Sequence, residues 1–309
     1  MKTNLHYDNP KVTIGLPTFN GEKYIGRAIE SALTQTFTNF QLIISDNNST
    51  DSTSKICKEY EKKDKRIKYF QHKKNKGWTF NFPFVLETAN SEYFVWLADD
   101  DYWEPTFLEK NVSILDSKKN IVGSIGLVKF FGIENFRIKN DLIFKIKNLL
   151  RRGSNKNFKK YIHVRPVSGS YEKKAETYLR FGQASFVYGL FRTKELKKRM
   201  VKMGHAWDGL LLLSILKEGD FYVVDQILLH RFVSGVHSGS GYLNFYKKNI
   251  IGLHELIFPT SNIAMWCLKN IGVKFFLRNL DWFMVLMIYG WYSIFREIML
   301  NQIKNKNQR

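Results

Sequence analysis

Along the first third of the chain, short apolar runs alternate with helically spaced apolar positions, a rhythm that predicts an α/β fold built from βαβ units on a mostly parallel sheet. Val12 to Leu16 reads as a buried strand ending at Pro17, and Asn20-Gly21 then opens a helix whose Ile25, Ile29 and Leu33 recur at i, i+4 and i+8. Phe40 to Ser45 is a second apolar run, followed by a polar turn over Asp46 to Asp51 and a helix turned inward through Ile56 and Tyr60. A third strand is expected near Ile67 to Phe70, and a short helix near Val85 to Ala89 after the Gly77 loop. Tyr93 to Ala98 reads as a further buried strand and ends at Asp99-Asp100-Asp101. Pro105 occupies a tolerated first-turn position, and Leu108, Val112 and Leu115 give the next helix its inward stripe.

Between Phe136 and Arg165 the pattern degrades into a stretch with about ten Lys and Arg against Asp141 alone, a composition that predicts a basic insertion or mobile loop. Helices are expected around Glu172 to Phe181, Lys194 to Met203 and Asp208 to Lys217, the last closed by Gly219, with a strand from Phe221 to Leu228. From Leu243 the tail is rich in Trp, Phe, Ile and Leu, interrupted by Lys274, Arg278 and Asp281. Its longest uncharged run, Trp282 to Phe295, falls short of the ~20 residues that span a bilayer, so an interfacial or buried helix is expected. The organisation predicted is a catalytic domain over 1–242 and a C-terminal helical, membrane-associating appendage over 243–309.

With 309 residues and 44% hydrophobic content the chain can bury one sizeable core. Its formal net charge of +20 favours an anionic partner: nucleic acid, an anionic lipid surface or a phosphorylated substrate. Cys57 and Cys267 are the only cysteines, too few for a disulfide framework. Met1 to Pro10 is polar and lacks the apolar core of a secretory signal, so a cytosolic active domain is expected.

In an open α/β sheet, ligands bind outside the carboxyl ends of the strands. Here those ends carry Pro17-Thr18-Asn20, Asp46-Asn47-Asn48-Ser49 and Asp99-Asp100-Asp101 in succession. Acidic and amide side chains suit ribose hydroxyls and base edges, while hard carboxylates suit Mg²⁺ or Mn²⁺, which bridges a diphosphate with few protein ligands. The clustered acids argue against nucleic acid as the partner. A nucleotidyltransferase would carry a glycine-rich, basic phosphate loop where this chain has Pro17-Thr18-Phe19-Asn20.

Taken in order, the segments Val12 to Asn20, Ser45 to Asp51, Asn75-Lys76-Gly77 and Trp96 to Asp101 resemble the signature of family 2 glycosyltransferases, over roughly residues 10 to 240. The resemblance implies a GT-A fold, a nucleotide diphosphate sugar donor, a glycan or lipid-linked hydroxyl acceptor, inversion at the anomeric carbon and a divalent cation, Mn²⁺ or Mg²⁺. It implies that Asp46 contacts the base, that Asp99 and Asp101 end the metal-binding Asp-X-Asp motif, and that Pro17, Thr18, Asn20, Glu22, Ser49, Lys76, Gly77 and Asp100 belong to the donor pocket. Asp208 falls where the family places its acceptor-activating base, with Trp207 preceding it where the family often has Glu. Arg231 is expected on the diphosphate, and His237 on the metal or diphosphate. Local readings stand beside these: Asp46 and Asp208 also suit caps, Lys76 a turn, and Trp207 a core position. The basic stretch and aromatic tail together imply peripheral contact with an anionic membrane at its cytoplasmic face, in cell-surface polysaccharide synthesis.

Overall fold

The computed structural model describes residues 9–132, 164–181, 184–201, 204, 206–232, 242–247 and 251–306. Its frame is an eight-stranded sheet of order β3-β2-β1-β4-β7-β6-β8-β5. Strands β1 (Val12–Thr18), β2 (Phe40–Asp46), β3 (Ile67–Gln71) and β4 (Tyr93–Trp96) are mutually parallel, with helices α1 (Ile25–Leu33), α2 (Thr53–Lys63) and α3 (Trp78–Glu87) linking them. β1 and β2 are buried at nearly every position, as strands covered on both faces must be. The register sets Thr18 beside Asp46 and Gly15 beside Trp96, so the chain leaves β1, β2 and β4 at one common edge.

The other half of the sheet is mixed. β7 (Leu190–Arg192) runs antiparallel to β4 and to β6 (Ile121–Phe131), β6 is parallel to β8 (Asp220–Phe232), and β5 (Tyr102–Trp103) is antiparallel to β8. The mostly parallel expectation therefore holds from β3 to β4 and stops there. β6 went unanticipated because its run carries Gly123 and Gly126 and lacks any alternation. A Cβ at Gly126 would lie 2.5 Å from Leu228, so the missing side chain permits close strand approach.

Helix α3 also begins well before the expected Val85, because Gly77, at φ 81°, turns the chain directly into it. Helices α4 (Phe107–Ser117), α5 (Tyr171–Phe181), α6 (Thr193–Lys198) and α7 (Trp207–Ile215) cover the sheet, with a 3₁₀ turn over Ala184–Tyr188. Most of the basic stretch, residues 136–163, lies outside the described residues.

The tail forms α8 (Tyr242–Lys247), α9 (Leu253–Ile257), α10 (Ser261–Asn270), α11 (Val273–Arg278) and α12 (Leu280–Lys306). Cys267, Phe275, Trp282 and Phe283 enter the same buried core as the helices that cover the sheet. The joint is polar at its centre. Arg180 of α5, only 2% exposed, donates to Asn279 Oδ1 at 2.9 Å and to the two carboxylate oxygens of Asp281 at 3.2 and 3.3 Å. A buried cation is tolerable only with such partners. Among the described residues no helix is long and apolar enough to cross a membrane.

Candidate active site

Three strand ends are drawn together through Thr18. Its carbonyl accepts the Asn47 amide at 3.0 Å and the Asn81 side-chain amide of α3 at 3.2 Å, while its hydroxyl donates to Asp99 Oδ2 at 2.6 Å. Gly21 makes that last contact possible: a Cβ there would sit 2.7 Å from both Asp99 Oδ2 and Thr18 Oγ1. Sequence reasoning treated Gly21 only as a helix opener, although its place beside Asn20 was a usable signal.

Asp46 is fully buried, and Ser49 holds its Oδ1 through both backbone amide (2.8 Å) and hydroxyl (2.6 Å), while Tyr69 donates to Oδ2 at 2.6 Å. Its carboxylate thus organises the turn and holds Tyr69, whose phenol burial and Asp46 together push upward. The nearby Cys57 thiol is pushed up to about 12 by burial and by the carboxylates around it, which leaves it inert. Asn47 clamps the next loop, donating to Asn75 Oδ1 at 2.8 Å and accepting the Lys76 amide at 3.0 Å. Lys76 is exposed, its ammonium 4.0 Å from the Phe80 ring centroid. Asn20 accepts the Thr50 amide and Glu22 the Ser52 amide, each at the surface, so both brace the β2–α2 loop against the β1–α1 loop.

The aspartate run divides. Asp99 is half-buried, and its carboxyl is pushed up to about 7, first by burial and then by the charges of Asp100 and Asp101, against the lowering pull of the Thr18 hydroxyl. Asp100 is half-buried too, and its carbonyl accepts Arg27 at 2.8 Å. Asp101 is 1% exposed: Arg231 Nε donates to Oδ2 at 3.2 Å and the Phe232 amide to Oδ1 at 2.9 Å. Burial pushes its carboxyl up to about 6 even though Arg231 pulls it down. Arg231 in turn donates to Ser185 Oγ at 3.1 Å and lies 4.4 Å over the Tyr188 ring. Asp101 therefore anchors Arg231 and the end of β8 in this arrangement, and the half-buried carboxylates at the edge are Asp99 and Asp100.

These acids fit a divalent cation. Adjacent carboxylates repel one another until a counter-charge arrives, and a hard ion that keeps water and phosphate oxygens in its shell needs only one or two of them. Among the described residues no group of three or more His, Cys, Asp and Glu side chains is placed to hold an ion by protein ligands alone. His237 lies outside the described residues.

Asp208 stands in the first turn of α7, where a carboxylate meets the positive end of the helix. The turn starts from Ala206 at φ 58°, a left-handed conformation that costs a residue bearing a Cβ. Trp207 packs against Trp78, Phe82 and Trp96, at ring-centroid distances of 6.3, 5.7 and 5.9 Å, which fixes the start of the helix beside the Gly77 loop. The Tyr188 phenol, pushed upward chiefly by burial, also feels Arg231, Asp101, Asp100 and Asp208. Tyr188, at the end of the 3₁₀ turn, thus packs on the Arg231 guanidinium that Asp101 holds, a placement that no sequence pattern announced.

Residues 13–173, just over half of the chain, match the family model described as Glycosyl transferase family 2. The chain belongs to that family. Among family relatives, the GalNAc(5)-diNAcBac-PP-undecaprenol beta-1,3-glucosyltransferase of Campylobacter jejuni is 30% identical over 224 residues, covering 72% of this chain and 65% of that protein. An uncharacterized glycosyltransferase of Rickettsia felis is 34% identical over 146 residues, 45% of this chain; the match spans only 24% of that relative's length. In fold, the chain is similar to Staphylococcus aureus TarS 1-349 in complex with UDP-GlcNAc (TM-score 0.59, 21% identity, 84% of this chain and 67% of that one). It is likewise similar to the mannosyltransferase PcManGT of Pyrobaculum calidifontis in complex with GDP-Man and Mn²⁺ (TM-score 0.56, 13% identity, 96% and 76%). The GT-A expectation for the fold holds.

Proposed function

We propose that this family 2 protein is an inverting glycosyltransferase that moves a sugar from a nucleotide diphosphate sugar to a hydroxyl of a glycan or lipid-linked acceptor in cell-surface polysaccharide synthesis. The observation that carries the reading is the convergence of Thr18, Asp46, Asp99 and Asp100 at one sheet edge; Asp208, in the first turn of α7, completes the candidate set. On this reading Asp46 and the loop from Asn75 to Gly77 receive the nucleoside, and Arg231, held by Asp101 and Ser185, faces the diphosphate. Asp99 and Asp100 would hold Mn²⁺ or Mg²⁺, which supplies Lewis-acid neutralisation of the departing diphosphate when bound. The Asp208 carboxylate takes the acceptor hydroxyl proton as that oxygen forms its bond to the anomeric carbon; the carbon–oxygen bond to the diphosphate breaks, and its electron pair leaves with the nucleotide. Attack opposite the leaving group inverts the configuration.

A lipid-linked acceptor is favoured by the Campylobacter relative, whose name specifies an undecaprenol-linked substrate; on this reading the enzyme meets its acceptor at the cytoplasmic face of the membrane. A thermal-shift screen of nucleoside diphosphates and their sugars, with and without Mn²⁺, tests donor binding, because a ligand of the folded state raises its stability by mass action. A metal-enhanced shift with one nucleotide is the expected result, and the absence of any shift across the panel would remove the donor assignment.

A further inference from the structure

Helix α12 shows apolar residues to two different surroundings. Trp282, Phe283 and Val285 turn into the core, whereas Leu280, Met284, Ile288, Trp291, Phe295 and Ile298 are 38–62% exposed. Steps of four, four, three, four and three residues put those six on one stripe, about 27 Å long at 1.5 Å per residue. Leu277 on α11 and Met265 on α10 are each 61% exposed, on helices that pack one against the next up to α12. So large an unpaired apolar surface marks a contact with something outside the chain.

The charges decide what that contact is. Lys269, Lys274 and Arg296 are exposed on these helices, while the exposed Arg278 pairs with Glu172 and Glu176 of α5 at 3.5 and 3.6 Å. The acids of the same segment are turned elsewhere: Glu255 is buried, Asp281 is spent on Arg180, and Glu297 accepts the Leu243 amide at 3.1 Å. Among the described residues 251–306 no acidic side chain is exposed. A second copy of the chain docked here would face cations with cations, which is destabilising, whereas an anionic lipid surface is complementary to both components. Trp291, Tyr289 and Tyr292, exposed together on α12, have the half-apolar, half-polar character that suits the headgroup layer.

We infer that the outer face of α10, α11 and α12 is a docking surface for an anionic lipid bilayer, into whose headgroup boundary the α12 stripe inserts without crossing it. The surface is rigidly registered to the catalytic sheet, because the buried Arg180 ties the start of α12 to α5. Docking therefore orients the aspartate edge relative to the bilayer instead of merely tethering the enzyme. This rests on the proposed function only in assigning the lipid surface to the side where a lipid-linked acceptor would be met.

Flotation of the full chain with vesicles of phosphatidylcholine, with and without phosphatidylglycerol, tests the surface, using Ile288→Glu/Phe295→Glu as the variant. Both residues are exposed, so the double variant should melt as the wild type does. The expected result is binding to phosphatidylglycerol vesicles that high salt weakens only in part and that the variant loses by about tenfold or more. Lysine replacements at the same positions, which keep the cationic surface, should retain an intermediate share of the binding. Equal flotation of wild type and the Glu variant overturns the inference. So does a wild-type dimer in sedimentation velocity that ignores vesicles and that the variant converts to monomer, since a second copy would then cover the stripe. Vesicle binding without turnover of any nucleotide sugar would leave the surface standing and bring down the transferase reading instead.

Discussion

The parallel half of the sheet and the C-terminal helices are both rich in apolar residues, yet they use them differently. In β1, β2 and β4 almost every apolar side chain is buried, and Thr18, Ser45 and Asp46 gather at the carboxyl ends of β1 and β2. In α12 apolar residues look both inward and outward along the same helix, and an ion pair in the joint, Arg180 with Asp281, fastens the element to α5. A strand sandwiched between helices has one kind of surroundings, so its composition reveals its place. A helix apolar on all sides has two possible destinations for each face, and only the packed chain separates them.

The sharpest probe of the first region is Asp208→Asn. The substitution removes the proton acceptor and preserves the shape, so turnover should fall by at least ~100-fold while nucleotide affinity is kept. A collapse of nucleotide affinity with turnover surviving at saturation would move Asp208 to the donor site. The joint between the two regions is broken by Arg180→Ala, which leaves Asn279 and Asp281 without their buried partner and should cost about 2–3 kcal/mol in denaturant unfolding. An unchanged midpoint would mean that the C-terminal helices are a detachable appendage after all.

A smaller effect separates members of the aspartate run. Asp99→Asn should reduce Mn²⁺-enhanced nucleotide binding by roughly tenfold or more. Asp101→Asn should disturb nucleotide binding equally with and without Mn²⁺, because its carboxylate holds Arg231 and the Phe232 amide. If Asp101→Asn alone abolished the Mn²⁺ enhancement, Asp101 would be the ligand and its pairing with Arg231 would have to yield to the ion.

The smallest effect is a pH slope. With Asp99 raised from 3.8 to about 7, the folded chain keeps a proton that the unfolded chain has released between those values. Metal-free stability from this group is therefore present at low pH and lost as pH rises through that window. The depressed carboxyls of Asp51, Asp64 and Asp116 act below 3.8 and that of Glu218 below 4.5, where stability is lost as pH falls. Asp101, raised to about 6, adds a decline of the same sign below that value; melts in chelator between about pH 6 and pH 8 should therefore still decline toward the alkaline end, and Asp99→Asn should flatten that decline. The same slope in that variant would contradict the assignment.

What could be read in the sequence follows the same division. β1, β2, β3 and β4 and the clusters at Thr18, Asp46 and Asp99 were legible because apolar runs end abruptly in polar residues there. β5 and β7, of two and three residues, are too short to carry a period, and β6 hides behind its glycines. The pairing of Asp101 with Arg231 spans 130 residues, and the place of Tyr188 depends on a 3₁₀ turn, so neither leaves a local signal. The run from Trp282 to Phe295 was visible as apolar, but which of its residues face the core was not.

The central claim is that this sheet edge activates a nucleotide diphosphate sugar. Its most direct test is release of nucleoside diphosphate from a panel of nucleotide sugars by the full chain, with Mn²⁺ and with chelator. The account predicts slow, metal-dependent release from one donor, without acceptor, that Asp99→Asn suppresses. Release from none of the donors, or equal release in the presence of chelator by wild type and Asp99→Asn alike, would contradict it.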